Sequence, residues 1–262
     1  MKTFSGIDVS EHNGTIDWKK VRPHISFAMI RAGYGSKTLD TKFKENATNC
    51  TINRIPFGVY WFSYAYNASM AKKEAKACIN AVKPYVLSCP IAFDFEYDSV
   101  SYAKRNGVVI TPALMREIAD AFLGEIINAG YECLLYTNVD FWNRGFKEFG
   151  NKYPIWCANW GTEKPALYCK IWQDSATGKI EGIPGQVDTD ISYQEWKIPT
   201  TDTERLEKIS EVINKYAQKY RDVAEDIING KYGNGNERKA KLIANQLDPN
   251  YAQDMVNALI GN

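Results

Sequence analysis

Eight short runs rich in β-branched and aromatic residues recur along the first 196 residues, and helical or irregular stretches separate them. Strands that alternate with helices favour a parallel sheet, because each helix returns the chain to the edge where the previous strand began. Eight such units predict a closed parallel β/α barrel. The connections after the fifth run are too short for full helices, so we expect an irregular, TIM-like barrel. The predicted strands are Gly6–Ser10, Phe27–Gly33, Pro56–Ser63, Ile91–Glu96, Glu132–Thr137, Ile155–Asn159, Cys169–Gln173 and Gln186–Ile191.

Three segments between these strands have the amphipathic spacing of helices, namely Asp40–Asn53, Ser69–Val86 and Pro112–Ala129. The third follows Thr111, a good N-cap, and carries proline in its first turn. It stops at Gly130. These segments complete an α/β pattern.

The composition changes at residues 197–202, after which there is no strand signal and tyrosine is the only aromatic residue. Helices are predicted there at Asn236–Asn245 and Pro249–Leu259, behind a first helix. The domains expected from these changes are a barrel over residues 1–197, a linker over 198–205, and a small all-α domain of three helices over 206–262.

The first helix of the small domain carries apolar residues spaced alternately three and four apart. This heptad pattern fits one helix packed on its own domain, which we favour, or a coiled coil between two copies. The second interpretation predicts a homodimer through the 206–227 helix. The stripe consists of Leu206, Ile209, Ile213, Tyr216, Tyr220, Val223 and Ile227.

The charge balance and the rarity of metal ligands exclude several classes of protein. Lys plus Arg (32) nearly equals Asp plus Glu (31), so the basic footprint of a nucleic-acid-binding protein is missing. No apolar run approaches the roughly 18 residues of a membrane span, so we expect no membrane insertion. With two histidines and no CxxC pair, we expect no metal site and no cofactor. The cysteines, expected to be buried free thiols, are Cys50, Cys78, Cys89, Cys133, Cys157 and Cys169.

The run Pro90–Glu96 is apolar until it ends in two carboxylates, Asp94 and Glu96. Residues two apart on a strand share a face, so both side chains point inward, about 6.7 Å apart at Cα. Two like charges repel, and Phe93 and Phe95 limit access of water. One carboxyl should therefore keep its proton near neutral pH and can serve as a general acid. An isolated D-x-E pattern is more often solvated surface charge. The hypothesis of a catalytic pair therefore depends on the position of Asp94 and Glu96 at the end of an apolar strand.

Other polar and aromatic residues also lie at the ends of predicted strands. Asp8 ends the first strand and Asp188 lies in the last, and these two strands are neighbours in a closed barrel. Flat apolar rings beside hydrogen-bonding acids suit a sugar, whose faces are apolar and whose rim carries hydroxyls. Any single aromatic residue is more often part of a core, but several at strand ends favour a sugar site. The candidates are Tyr34, Tyr64, Tyr136, Trp160 and Gln173.

These residues belong to longer motifs that resemble the glycoside hydrolase family 25 lysozymes. Asp8–Trp18 is similar to the opening signature D-x-S-x-x-x-G-x-I-D-W of that family, and Phe27–Gly35 is similar to its second-strand motif. The remaining motifs follow in family order. They are Asp40 with Phe43 and Asn46, Gly58–Phe62, Asp94 with Glu96, Tyr136–Asn138, Trp172–Gln173 and Val187–Asp188.

The resemblance covers about residues 4 to 196. It implies an irregular β/α barrel that hydrolyses the β-1,4 bond from N-acetylmuramic acid to N-acetylglucosamine in bacterial peptidoglycan. It implies that Glu96 is the general acid, with Asp94, Asp8 and Asp188 as the other catalytic-site acids. Enzymes of this D-x-E type often use the substrate's acetamido group as nucleophile and retain the anomeric configuration. Asp190 stands where many relatives have asparagine, which leaves its local hydrogen bonding open.

The segment Asp222–Lys239 resembles the CW-seven cell-wall-binding repeat, which usually reads G-K-W-G-N-G. In this chain Tyr232 replaces the tryptophan. The resemblance implies binding to a muropeptide through Tyr232, Asn234 and Arg238. The alternative is a three-helix cap that only stabilises the protein.

These resemblances favour a phage or prophage endolysin. The first residues show no signal peptide, so we expect synthesis in the host cytoplasm and action on the cell wall after release. Two other interpretations stay open at this point: a non-catalytic peptidoglycan-binding barrel, and an unrelated barrel hydrolase that cuts chitin-like glycans.

Overall fold

The computed structural model describes residues 2–198, 217–245 and 247–260. The chain divides into two compact units, Met1–Asp202 and Thr203–Asn262. Residues 199–205 of the predicted linker lie outside the described residues. The first four positions of the heptad stripe, Leu206 to Tyr216, also lie outside them.

A closed barrel forms the first unit, as the alternation of strands and helices predicts. The sheet order is β1-β9-β8-β7-β6-β5-β4-β2-β3, and pairing of β1 with β2 closes the ring. The short β3 only extends β2 as a hairpin, so eight strands make the barrel. The strands are β1 (Phe4–Val9), β2 (Phe27–Tyr34), β3 (Thr38–Leu39), β4 (Phe57–Phe62), β5 (Ile91–Asp94), β6 (Cys133–Asn138), β7 (Ile155–Ala158), β8 (Ile171–Gly178) and β9 (Val187–Ser192).

The last strand departs from the predicted parallel barrel. Strands β1, β2 and β4 to β8 run parallel to one another, whereas β9 runs antiparallel to both β8 and β1. The segment 179–186 is too short for a helical crossover, so the chain returns as a hairpin. Gly182 (φ 98°) and Gly185 (φ 78°) supply the left-handed backbone of this turn. The irregularity expected after the fifth strand is confirmed, but it includes a reversal of strand direction.

Helices cover the outside of the barrel between the earlier strands. Asn67 caps α3, since its Oδ1 accepts a bond from the Met70 amide at 2.9 Å, and Thr111 caps α5 in the same way. Helices α4 and α6 were not predicted. The described helices of this unit are α1 (Trp18–Val21), α2 (Phe43–Ile52), α3 (Ala68–Val82), α4 (Tyr97–Arg105), α5 (Pro112–Asn128) and α6 (Val139–Arg144).

Alternation along each strand sorts side chains between the barrel interior and the layer under the helices. On β5, Ala92 packs in the inner cluster with Leu134 and Trp156, whereas Phe93 packs outward, with its ring 5.1 Å from that of Phe122 on α5. Asp94 shares the inward face of Ala92. The same alternation thus places the polar ends of the strands inside the barrel mouth.

The six cysteines are all buried and none is paired, as predicted. They serve as small apolar residues of the strands and of the helical layer. Among the described helices of both units, none is long and apolar enough to cross a membrane.

The second unit has its own core. Its helices are α7 (described over residues 217–228), α8 (Gly235–Ala244) and α9 (Pro249–Ile260). The described part of the heptad stripe faces this core, which favours packing of the helix within its own domain. The core consists of Tyr220, Val223, Ala224, Ile227, Leu242, Leu247, Ala252 and Val256.

Candidate active site

A cavity of about 650 Å³ lies at the end of the barrel where the parallel strands finish. Strands β1, β2, β4 and β5 end there. The antiparallel β9 begins there, so Asp188 near its amino end lies directly opposite Asp8 in the β1–β9 register. The reversal of β9 therefore brings the acid of the last strand to the mouth.

Most of the residues predicted for the site meet in this cavity. The exception is Trp160, which is 55% exposed and lies outside the cavity lining. It still contacts the site, because its Nε1 donates to Gln173 Oε1 at 3.0 Å. The predicted residues that line the cavity are Asp8, Tyr34, Tyr64, Asp94, Glu96, Tyr136, Gln173 and Asp188.

Gln173 connects the acids to the aromatic residues. Its Oε1 accepts bonds from Tyr136 Oη at 3.1 Å and from Trp160 Nε1, which fixes the orientation of the amide. Its Nε2 then faces the acids and donates to Asp8 Oδ2 at 2.7 Å, with Asp188 Oδ2 at 3.5 Å. Tyr136 is 7% exposed. The direct contact of Tyr136 is therefore with Gln173, and only its edge borders the cavity.

Asp94 and Glu96 reach the cavity from the end of β5. The strand ends at Asp94, earlier than predicted, but Glu96 keeps an extended backbone (φ −130°, ψ −168°), so the alternation continues. The Glu96 amide donates to Ser99 Oγ at 3.0 Å, and α4 begins at the next residue. The pair thus lies between a buried strand and a helix start, both of which restrict its movement.

Crowding of acids in a buried place controls the electrostatics of the site. The pKa of Asp8 is raised well above its usual range, mainly by burial and next by the Asp188 charge. Burial is also the main cause that raises the pKa of Asp94, and Glu96 adds to it. The pKa values of Glu96 and Asp188 are raised by burial as well. The carboxyls cannot all be ionised at neutral pH, so the cluster retains protons.

The proton is shared unequally between Asp94 and Glu96. Asp94 is 4% exposed, and its Oδ1 has no hydrogen-bond partner among the described residues. Its pKa is therefore raised the more strongly, whereas Glu96 is only partly buried. A group that donates and recovers a proton needs a pKa near the working pH, which fits Glu96 better than Asp94. Asp94, whose pKa is raised further, is better suited to orient the substrate than to transfer a proton.

Asp190 on β9 is buried and lies opposite Gly6 in the β1–β9 register. Its Oδ1 accepts a bond from Trp156 Nε1 at 2.8 Å. Burial and the Asp8 charge raise its pKa well above the usual range. Burial beside another acid therefore favours the protonated form of Asp190.

Arg31 was not predicted as part of the site, although it is the one basic residue within the otherwise apolar run of β2. It lines the cavity and is 9% exposed. Its Nε donates to Asp40 Oδ2 at 2.7 Å and its Nη2 to Glu11 Oε1 at 2.9 Å. The guanidinium thus ties the loop after β1 to the turn after β3. In the described part of the chain, no cluster of three or more His, Cys, Asp or Glu side chains could hold a metal ion.

Glu74 on α3 is a second unpredicted carboxylate. It is fully buried; its Oε2 accepts from Ser63 Oγ at 2.6 Å and its Oε1 from the Tyr64 amide at 3.1 Å. Burial raises its pKa to about 7. Glu74 therefore anchors the turn that presents Tyr64 to the cavity.

In the second unit, Arg238 holds the glycine turn ahead of α8. Its Nε donates to the Gly233 carbonyl at 3.1 Å and its Nη2 to Asn234 Oδ1 at 3.2 Å. Its Nη1 donates to Gln253 Oε1 at 3.3 Å and so reaches α9. Tyr232 is partly exposed and packs against the core of this unit. The three predicted tail residues are thus close together.

Two family profiles match the chain. The profile described as glycosyl hydrolases family 25 matches residues 7–183, and that of the CW_7 repeat matches residues 221–260. The chain belongs to glycosyl hydrolase family 25, and it carries a C-terminal CW_7 repeat.

Known proteins of similar sequence and structure agree with this assignment. Lysozyme M1 from Streptomyces globisporus is 30% identical over 195 residues, which are 70% of this chain and 65% of that protein. The modular autolysin LytC from Streptococcus pneumoniae superposes with a TM-score of 0.64 at 30% identity, over 73% of this chain and 47% of LytC. LytC has also been solved in complex with a synthetic peptidoglycan ligand. The lysozyme from Streptomyces coelicolor gives a TM-score of 0.64 at 25% identity, over 80% of this chain and 97% of that one.

We expect Glu74→Gln to change how stability depends on pH. A carboxyl with a raised folded pKa binds its proton more tightly in the folded state, so wild-type stability falls as pH rises from about 4.5 through about 7. The amide cannot ionise and does not suffer this loss. The stability difference between variant and wild type should grow in favour of the variant by roughly 2 to 4 kcal/mol between pH 5 and pH 8.

Urea unfolding across that pH range measures the difference. Glu117→Gln, an exposed glutamate on α5, is the matched control and should show no such trend. A Glu74→Gln curve parallel to that of wild type would show that Glu74 ionises normally in the folded protein.

Proposed function

We propose that this chain hydrolyses the β-1,4 bond between N-acetylmuramic acid and N-acetylglucosamine in bacterial peptidoglycan. The observation that carries the proposal is the Asp94–Glu96 pair, which retains a proton in a cavity lined by aromatic residues. Membership of glycosyl hydrolase family 25 supports it. So does the likeness to LytC, which has been solved with a peptidoglycan ligand.

In the proposed reaction, Glu96 protonates the glycosidic oxygen as the bond to the leaving sugar breaks. The acetamido oxygen of the N-acetylmuramic acid attacks the anomeric carbon. Asp94 orients this group by accepting a hydrogen bond from its N–H, which leaves the attacking oxygen free. Glu96 then takes a proton from a water molecule, and this water attacks the anomeric carbon and opens the cyclic intermediate. The attack comes from the side on which the leaving sugar stood, so the configuration is retained. Asp8 and Asp188, linked through Gln173, hold the sugar and tune Glu96.

Glu96→Gln should keep the fold and lose about 10²–10⁴-fold in activity, because an amide cannot protonate the leaving oxygen. Release of muropeptides from purified walls measures the activity, and mass spectrometry should find muramic acid at the new reducing ends. Glu148→Gln, on the exposed surface after α6, is the matched control. Near-normal activity of a folded Glu96→Gln protein would refute the assignment of the acid, and N-acetylglucosamine at the new ends would refute the proposed bond.

The stereochemistry separates the acetamido route from its competitor, in which Asp94 or Asp188 activates a water directly. The acetamido route forms the retained anomer first, whereas direct attack of water forms the inverted anomer. Proton NMR of the first minutes of hydrolysis distinguishes the two. Early appearance of the inverted anomer would exclude the acetamido route.

We propose that the second unit binds a muropeptide through the turn at Tyr232, Asn234 and Arg238. The CW_7 match supports this, and one copy of a repeat should bind weakly compared with an array. Arg238→Ala in the full chain should reduce the fraction that sediments with insoluble wall material. Cleavage of soluble glycan fragments should stay unchanged.

Lys239→Ala, which removes the exposed neighbouring cation, is the control for this experiment. Wild-type sedimentation of Arg238→Ala would assign Arg238 the internal role of holding the turn and would favour the stabilising cap. Loss of sedimentation in both variants alike would indicate nonspecific charge attraction.

The endolysin role, with synthesis in a host cytoplasm and later release to the wall, is a further proposal that rests on the resemblance to phage lysozymes. A homodimer through the 206–227 helix is the alternative to packing within the unit, in whose core Tyr220, Val223 and Ile227 are buried. Sedimentation equilibrium of the full chain distinguishes monomer from dimer.

A further inference from the structure

Aromatic rings continue from the cavity to the surface of the barrel on the side of α4. The Tyr64 ring, which lines the cavity, lies with its centroid 5.1 Å from that of Phe62 and 5.1 Å from that of Tyr102. The Tyr102 ring lies 6.3 Å from that of Tyr66. We call Tyr66 and Tyr102 the outer aromatic patch, and Tyr64 joins it to the cavity.

The outer aromatic patch lies on segments that are fixed in position relative to Asp94 and Glu96. Glu96 immediately precedes α4, and Tyr102 lies on that helix six residues later, about 9 Å further along its axis. Tyr66 lies in the connection from β4 to α3, next to Asn67, which caps α3. Both tyrosines are therefore carried by segments whose ends are fixed at the cavity, which suits a binding surface better than a mobile loop.

Burial does not account for these tyrosines. Both are partly exposed, and neither belongs to the apolar clusters of the barrel or to the residues packed against them. Exposed aromatic residues that continue a cavity indicate a ligand longer than the cavity itself.

Arg105 adds hydrogen-bond donors at the outer end of the patch. Its guanidinium lies over the Tyr102 ring at 5.8 Å from the centroid. It is exposed and forms no ion pair with a carboxylate in the described part of the chain. Ring faces with polar donors beside them match a pyranose, which has an apolar C–H face and a rim of hydroxyl and acetamido groups.

We propose that the outer aromatic patch, with Arg105, binds a further sugar residue of the same glycan strand, beyond the two sugars joined by the cleaved bond. This inference rests on the proposed function. Because the patch contacts only sugars distant from the reacting atoms, it increases affinity for long strands and leaves the chemical step on short ones unchanged.

Tyr66→Ala and Tyr102→Ala in the full chain test the proposal. The substrates are soluble glycan strands freed of their peptides, compared with the shortest oligosaccharide that the wild type cleaves. Each variant should raise KM on long strands about 3- to 10-fold, as expected for loss of one aromatic contact, with kcat unchanged. On the short substrate both constants should stay at the wild-type value. Tyr102→Phe keeps the ring and should behave as wild type.

Tyr168→Ala is the matched control, because Tyr168 is 97% exposed and lies outside the cavity lining. Equal losses on long and short substrates would contradict the proposal and show that the tyrosines only support Tyr64. Wild-type constants on long strands would contradict it too. Failure of the wild type to cleave any glycan would instead refute the proposed function, so the two failures are distinguishable.

Discussion

The organisation of the barrel mouth depends on one constraint: several carboxyls are buried together where they cannot all be charged. Asp8, Asp94 and Asp190 are each at most 7% exposed, and the cation beside them, Arg31, is already paired with Asp40 and Glu11. The donors from outside the cluster are neutral ones, the Gln173 amide to Asp8 and the Trp156 indole to Asp190. Neutral donors stabilise a carboxylate less than a cation does, so protons stay in the cluster.

Because the acids are buried to different depths, their pKa values are raised by different amounts. Depth of burial orders them, since Asp94 lies at the end of a fully buried strand whereas Glu96 lies one step outward at a helix start. Environment alone can thus assign different tasks to two carboxyls in one site. Glu74 shows the same principle outside the cavity, where burial without a basic partner keeps a carboxyl near the point of ionisation.

The sequence predicted the barrel and most of the site because both depend on periodicity. Alternation along β5 correctly indicated that Asp94 and Glu96 share a face. The predicted direction of β9 was wrong. The length of the connection before a strand, rather than the strand itself, decides whether the chain returns as a hairpin or by a crossover. Asp188 was nevertheless placed correctly, since first and last strands of a closed barrel are neighbours in either direction. Glu74 could not be found from the sequence, because in an amphipathic helix it is indistinguishable from solvated surface charge.

The most direct test is a carbon-13 NMR titration of the side-chain carboxyls of aspartate in the full chain. If burial holds protons in the cluster, at least one aspartate carboxyl is still protonated at neutral pH, and its signal disappears in Asp94→Asn. Titration of every aspartate below about pH 5, as in exposed side chains, would contradict the account.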